Sequence, residues 1–197
     1  MSDLNHTTRF YRQRFKQKEE LYNKHSPLLD YFIPMIGDQH RIVIGEMGSG
    51  PINTIGTYVA GKDIEIVASD WFQVEYQKFW ERSGKTPIIP IEYQNMERLT
   101  YPDESFDIVH CANAIDHTVN ADLALKEFIR VCKPGGYVYL RHHLNQRSLH
   151  AREHRWDIRM EDGKCAVIGR HMRFFTEDFA PFTSRMEDGQ VVSVWQK

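Results

Sequence analysis

Glu46 and Asp70 are the residues from which a chemistry can first be read. Each acid closes a short β-branched run, and Glu46 leads straight into Met47-Gly48-Ser49-Gly50-Pro51. Glycines at such a bend let the backbone turn tightly and approach a ligand closely. A helix is expected to follow, with its free N–H groups facing that ligand. A dinucleotide turn would need a third glycine to admit the pyrophosphate, but the chain continues Pro51-Ile52-Asn53. Glu46 would repel a pyrophosphate and suits the ammonium of an amino-acid-like ligand. Asp70 can accept hydrogen bonds from both hydroxyls of a ribose.

A second group of candidates lies further along. Asp116 and His117 follow the fourth apolar run and are placed to orient or deprotonate an acceptor hydroxyl. The plain alternative is a helix-entry histidine and an acid bonded to nearby backbone. His142 and His143 end the fifth run, and strand alternation sends one into the cleft and the other into packing. His143 is taken as the catalytic candidate. His150-Ala151-Arg152-Glu153-His154 matches a zinc-peptidase pattern, H-x-x-E-H. No third ligand is evident by spacing, so no metal is expected from it. Beside it, Arg152, Arg155 and Trp156 suit either an anionic or sugar-like acceptor or ordinary core and surface.

The elements that must hold these residues alternate in type. Arg41–Glu46, Ile64–Asp70, Ile88–Glu92, Phe106–Cys111 and Tyr137–Leu140 read as buried strands, with Pro90 moving the third toward an edge. Trp71–Ser83 and Ala121–Cys132 read as helices. The second has Leu125, Phe128, Ile129 and Cys132 on one face, Asn120 as its N-cap, and Pro134-Gly135-Gly136 as its stop. Residues 5–36 read as two helices, restarting at Ser26-Pro27. Arg-Met-Glu-Asp-Gly occurs at Arg159–Gly163 and again at Arg185–Gly189, predicting two hairpins with a short helix over Thr176–Phe182 between them. The fold class is therefore α/β: a doubly wound, mostly parallel sheet with helices on both faces and antiparallel hairpins at the C-terminal end. A single domain is expected, with a helical cap over 1–38, a cofactor-binding core over 41–142 and a substrate side over 143–197.

Residues 41–140 resemble the class I S-adenosylmethionine (SAM)-dependent methyltransferases. Glu46-Met47-Gly48-Ser49-Gly50 is similar to their acidic-x-Gly-x-Gly motif, and Asp70 to their ribose-binding acid. Gln94–Leu99 with Pro102–Asp107 resembles the stretch that holds adenine, with Asn95 in place of the usual acid and Met96 offering its backbone N–H. Glu127–Gly136 resembles the helix and turn after the fourth strand. The resemblance implies S-adenosyl-L-methionine as cofactor. It implies Glu46, Gly48, Ser49, Gly50, Asp70, Trp71, Asn95, Met96 and Ala112 as its binding residues. The frequent third glycine is Ile52 here. The region after Leu140 is weakly similar to small methyltransferases of glycan synthesis, implying O-methylation of a sugar or related small acceptor.

The remaining bounds come from composition. Lys plus Arg number 25 against 27 Asp plus Glu, a net charge of −2. This lacks the basic excess that binding a nucleic-acid backbone needs. Three cysteines without a CxxC argue against a disulfide framework. No apolar run approaches a membrane span, and a cytoplasmic protein with no membrane or nucleic-acid partner is expected. A non-catalytic relative that kept the fold, and a nucleic-acid methyltransferase, stand as rivals to a small-molecule enzyme. The Arg-rich N-terminal helices either close over the cofactor or pair two subunits as a homodimer.

Overall fold

A computed structural model describes residues 24–150 and 154–197. The first of the two helices expected within residues 5–36, and the H-x-x-E-H residues Ala151, Arg152 and Glu153, lie outside them. Seven strands form one sheet in the order β3-β2-β1-β4-β5-β10-β9. They are β1 (Arg41–Met47), β2 (Asp63–Asp70), β3 (Ile91–Tyr93), β4 (Phe106–Ala112), β5 (Cys132–His143), β9 (Thr183–Glu187) and β10 (Gln190–Gln196). Strands β3, β2, β1, β4 and β5 pair in parallel, and β10 runs antiparallel to both β5 and β9. A three-stranded antiparallel sheet, β6 (Asp157–Glu161), β7 (Lys164–Ile168) and β8 (Arg173–Phe175), packs beside it.

Side-chain alternation gives the sheet two apolar faces. Met47, Val109, Cys111, Val138 and Leu140 face α3 (Ala121–Val131), whose Leu125 and Phe128 are fully buried, and the small sheet. Ile42, Ile44, Ile108, Tyr139 and Val192 face the segment around α1 (Ile33–Ile36). The helix α2 (Gln73–Ser83) seats Tyr76, Phe79 and Trp80 on Ala68, Ile91 and Ile52. Asp107 braces three strands at their base. Its Oδ2 accepts the Val43 N–H at 2.8 Å, and its carboxylate pairs with Lys133 Nζ at 2.9 Å.

Both Asp-Gly hairpins form as read. Asp162 and Gly163 have φ of 49° and 77°, and Asp188 and Gly189 have 50° and 75°, the left-handed pair that matches strand twist. Other expectations are corrected. Pro27 does not open a helix but bridges Tyr58, and helical turns begin at Asp30. The Leu28 and Leu29 N–H groups bond the 55–58 loop, which competes with a helix. The expected helix after Gly50 is replaced by an irregular segment to Lys62. There Asn53 Oδ1 accepts the Ile55 N–H and Asn53 Nδ2 bonds Gly56 O, a local turn that competes with helix. Asn120 holds the N-cap position of α3, yet its side chain bonds Glu97 at 3.1 Å rather than the helix. Thr176–Phe182 gives one 3-10 turn, Thr176–Asp178.

Candidate active site

The C-terminal ends of the parallel strands bring the candidates together. At the end of β1 the chain bends at Gly48 and Gly50, with φ of 73° and 69°. Gly48 and Ser49 N–H both donate to Ser69 O, at 2.8 and 3.0 Å, which ties the bend to β2. A Cβ on Gly48 would lie 2.3 Å from Ala114 Cβ and 3.1 Å from Met96 Cε. So the turn after β1, the loop after β4 and Met96 meet at one point that has no room for a side chain. Ile52 runs beneath the bend into the α2 core and does not fill it.

Asp70 is buried at the end of β2. Its Oδ2 accepts the Gly50 N–H at 2.9 Å and its Oδ1 accepts the Phe72 N–H at 2.8 Å. The acid thus fixes the bend and the entry to α2, the Tyr76 hydroxyl also reaches it, and its two oxygens have one acceptor position beyond these three donors. Burial raises its pKa, and these backbone donors, the Tyr76 hydroxyl and the nearby His117 pull it back.

Glu46 is 4% exposed, and its Oε2 has no hydrogen-bond partner among the described residues. Its neighbour across the sheet is His110, with Nδ1 3.9 Å from Glu46 Oε1. Burial pushes Glu46 up to about 8 and His110 down to about 3. Near neutral pH neither is mainly charged, so this contact is not an ion pair. His110 Nε2 bonds Tyr31 Oη at 3.0 Å, and the Tyr31 ring stacks on Tyr139 at 4.6 Å. Beside them opens a cavity of about 520 Å³, lined by Tyr31, Thr54, His110, Ala112, Asn113 and Arg141 among others. Arg141 is held from behind by Glu187 at 3.0 Å and Asp188 at 3.2 Å.

Asp116 is 1% exposed in a 3-10 turn (Ile115–His117) after β4. His154 Nδ1 lies 2.5 Å from its Oδ2, and the His117 and His154 rings are 4.2 Å apart. The adjoining segment is anchored by backbone: Arg155 and Trp156 N–H both donate to Asp116 O. His154 was not among the sequence candidates; only its place in H-x-x-E-H singled it out. The histidine of β5 that turns inward is His142, which is buried, whereas His143 is exposed beside Gln190. Strand alternation foresaw the division but not which of the two faces in. Trp156 is buried against Phe174 and bonds Thr118 O at 2.9 Å, so it belongs to the core.

At the other end, Trp71 is half-exposed with its ring 5.5 Å from that of Tyr93. Asn95 Oδ1 accepts the Glu97 N–H at 2.9 Å and so shapes its own turn. Ser49 Oγ bonds the adjacent Gly50 carbonyl at 3.2 Å.

A methyltransferase domain family matches residues 46–140, the span of this site's strands. The ubiquinone/menaquinone biosynthesis C-methyltransferase UbiE of Hydrogenovibrio crunogenus is 50% identical over 92 residues, covering 45% of this chain and 36% of that protein. The sterol 24-C-methyltransferase erg6 of Aspergillus fumigatus is 25% identical over 132 residues, covering 66% of this chain and 35% of that protein. The chain thus spans little more than a third of these curated relatives. A SAM-dependent methyltransferase of Methanosarcina mazei superposes with a TM-score of 0.51 at 16% identity, covering 87% of this chain and 99% of that one, a likeness of fold. Motif, sheet order and matched domain coincide over the same residues, and residues 46–140 form a domain of the class I SAM-dependent methyltransferase family.

Proposed function

We propose that this chain transfers a methyl group from SAM to a hydroxyl oxygen of a small acceptor, a sugar or a related metabolite. The observation that carries the SAM site is Glu46: a buried carboxylate with an orphaned oxygen, set beside a two-glycine bend that Asp70 locks in place. A buried acceptor without a partner is costly, and an ammonium group would supply one. The donor set fits the rest of the molecule. Asp70 has an acceptor position left for a ribose hydroxyl, and Asn95 would turn its amide N–H to an adenine ring nitrogen. Met96 reaches the bend with apolar surface, Trp71 offers an aromatic face, and Ala112 is too small to block the cleft.

When bound, SAM supplies an electrophilic methyl on a sulfonium. The residues then have two tasks, to align the acceptor and to keep water out. The cavity of about 520 Å³ is the size of small-molecule sites, and Asn113, Tyr31 and Arg141 give it polar groups for a hydroxylated acceptor. Asp116 and His117, with His154, do not line that cavity; they follow its Ala112 and Asn113 in the turn after β4 and would take the proton of an acceptor oxygen that reaches them. His143 lies apart from this cluster and keeps at most a rim contact. UbiE and erg6 are named as C-methyltransferases, which makes a carbon acceptor the second outcome to look for.

The test is a screen of metabolite pools with methyl-labelled SAM and the full chain. Labelled product whose fragmentation places the methyl on oxygen supports the reading, and a methyl on carbon overturns the oxygen assignment. SAM binding with no labelled product from any small-molecule pool would favour a non-catalytic relative.

A further inference from the structure

Asp116, His117 and His154 each offer one ligand atom, and the three atoms lie within 4.8 Å of one another. Two features show that this cluster lacks something. Asp116 Oδ1 is buried with no hydrogen-bond partner among the described residues. His142, 2% exposed and within electrostatic reach of Asp116 and His117, has neither ring nitrogen bonded among the described residues. Buried imidazole and carboxylate groups are almost always satisfied. We propose that Asp116, His117 and His154 form a divalent transition-metal site.

Two imidazoles and one carboxylate are the donors that zinc, iron and cobalt accept, whereas magnesium and calcium take oxygen ligands. Three protein ligands leave a coordination position open, the arrangement of reactive rather than structural sites. The scaffold stands without the ion. Arg155 N–H donates to Asp116 O at 2.7 Å and Trp156 N–H at 3.2 Å, and Trp156 Nε1–H bonds Thr118 O at 2.9 Å. The site is not the H-x-x-E-H arrangement, because its ligands come from the turn after β4 and the segment before β6. The His150 ring lies 6.1 Å from that of His154, outside the trio. An ion here stands near the bend, since Ala114, two residues before Asp116, is what a Cβ on Gly48 would strike. Its consequence rests on the methyltransferase reading: an acceptor oxygen in the open position would give up its proton more readily.

The experiment uses the full chain stripped with chelator and titrated with cobalt(II) alone, followed by visible absorption and by native mass spectrometry. One equivalent should bind with a cobalt ligand-field band. His154→Gln and Asp116→Asn should each weaken binding by more than about 100-fold. If Asp116→Asn unfolds by circular dichroism, His117→Gln, on a more exposed ligand, serves in its place. No band overturns the site, and so does binding equal in the variants and the parent chain, which would assign the metal to other histidines. SAM binding is measured in parallel by calorimetry on the stripped protein. Its loss with metal binding intact refutes the cofactor reading alone, and metal failure with SAM binding intact refutes this site alone.

Discussion

At the scale of single residues, the site is set by groups that the fold has removed from water. Glu46 has a pKa raised by burial to about 8, against 4.5 in an exposed chain. The groups that act on it are His110, Tyr31 and Cys111; His110 is neutral above about 3, and burial shifts the tyrosine and the thiol upward, so both are neutral as well. Because the folded state holds the proton more tightly, Glu46 stabilises the fold fully below the unfolded value. That contribution is lost as pH rises toward about 8. Glu46→Gln should therefore flatten the decline in unfolding free energy between pH 5 and 8, and urea titrations across that range measure it. An unchanged slope would mean the carboxylate is not buried. A ligand ammonium beside Glu46 would reverse the preference and expel the proton. SAM affinity should then rise by up to about tenfold per pH unit as pH approaches 8. Calorimetry in two buffers of different ionisation enthalpy should show close to one proton released at pH 6.5, and none in Glu46→Gln. Gly48 makes the companion case. Its positive φ and the 2.3 Å approach of a Cβ to Ala114 predict that Gly48→Ala costs about 2–4 kcal/mol, read by chemical denaturation. A cost near zero would show that the bend is looser than described.

At the scale of elements, what could be read in advance was whatever a short window decides. β-branched runs fixed β1, β2 and β4, the i, i+3, i+4, i+7 spacing fixed α3, and the two Asp-Gly pairs fixed both hairpins. The failures are places where a distant partner wins. Asn53 makes a local turn and Gly56 packs under Pro27, with a hypothetical Cβ 2.1 Å from the Pro27 carbonyl, so the helix after the bend cannot form. Asn120 gives its amide to Glu97 across a loop, which no helix-capping pattern encodes. That β10 inserts beside β5 along Gln190–Gln196 depends on sheet pairing and was not visible in the hairpin alone. Gly189 has open space around it, so Gly189→Ala carries backbone strain only and should cost about 1–2 kcal/mol with the β9–β10 register kept. Amide hydrogen exchange should then rise in β9 first, because it is the edge strand. Exchange rising first in β5 would contradict the topology.

At the scale of the whole molecule, the alternation of strand and helix announced a parallel sheet whose ligand belongs at the carboxyl ends of its strands. The places of Glu46, Asp70, Met96 and Ala112 at or just after strand ends were legible, because β-branched runs mark the strands that they close or follow. His154 was not, because it reaches Asp116 from 38 residues away. His142 was half legible, since alternation separates it from His143 without saying which turns inward. No helix among the described residues is long and apolar enough to cross a membrane.

The most direct measurement is isothermal calorimetry of SAM against the full chain and against Asp70→Ala, each first checked for a cooperative melt. One site per chain is predicted, with affinity lowered at least about tenfold in the folded variant as its ribose contacts are lost. No heat and no thermal shift with the parent chain, or equal affinity in the variant, would contradict the assignment of this cleft to the cofactor.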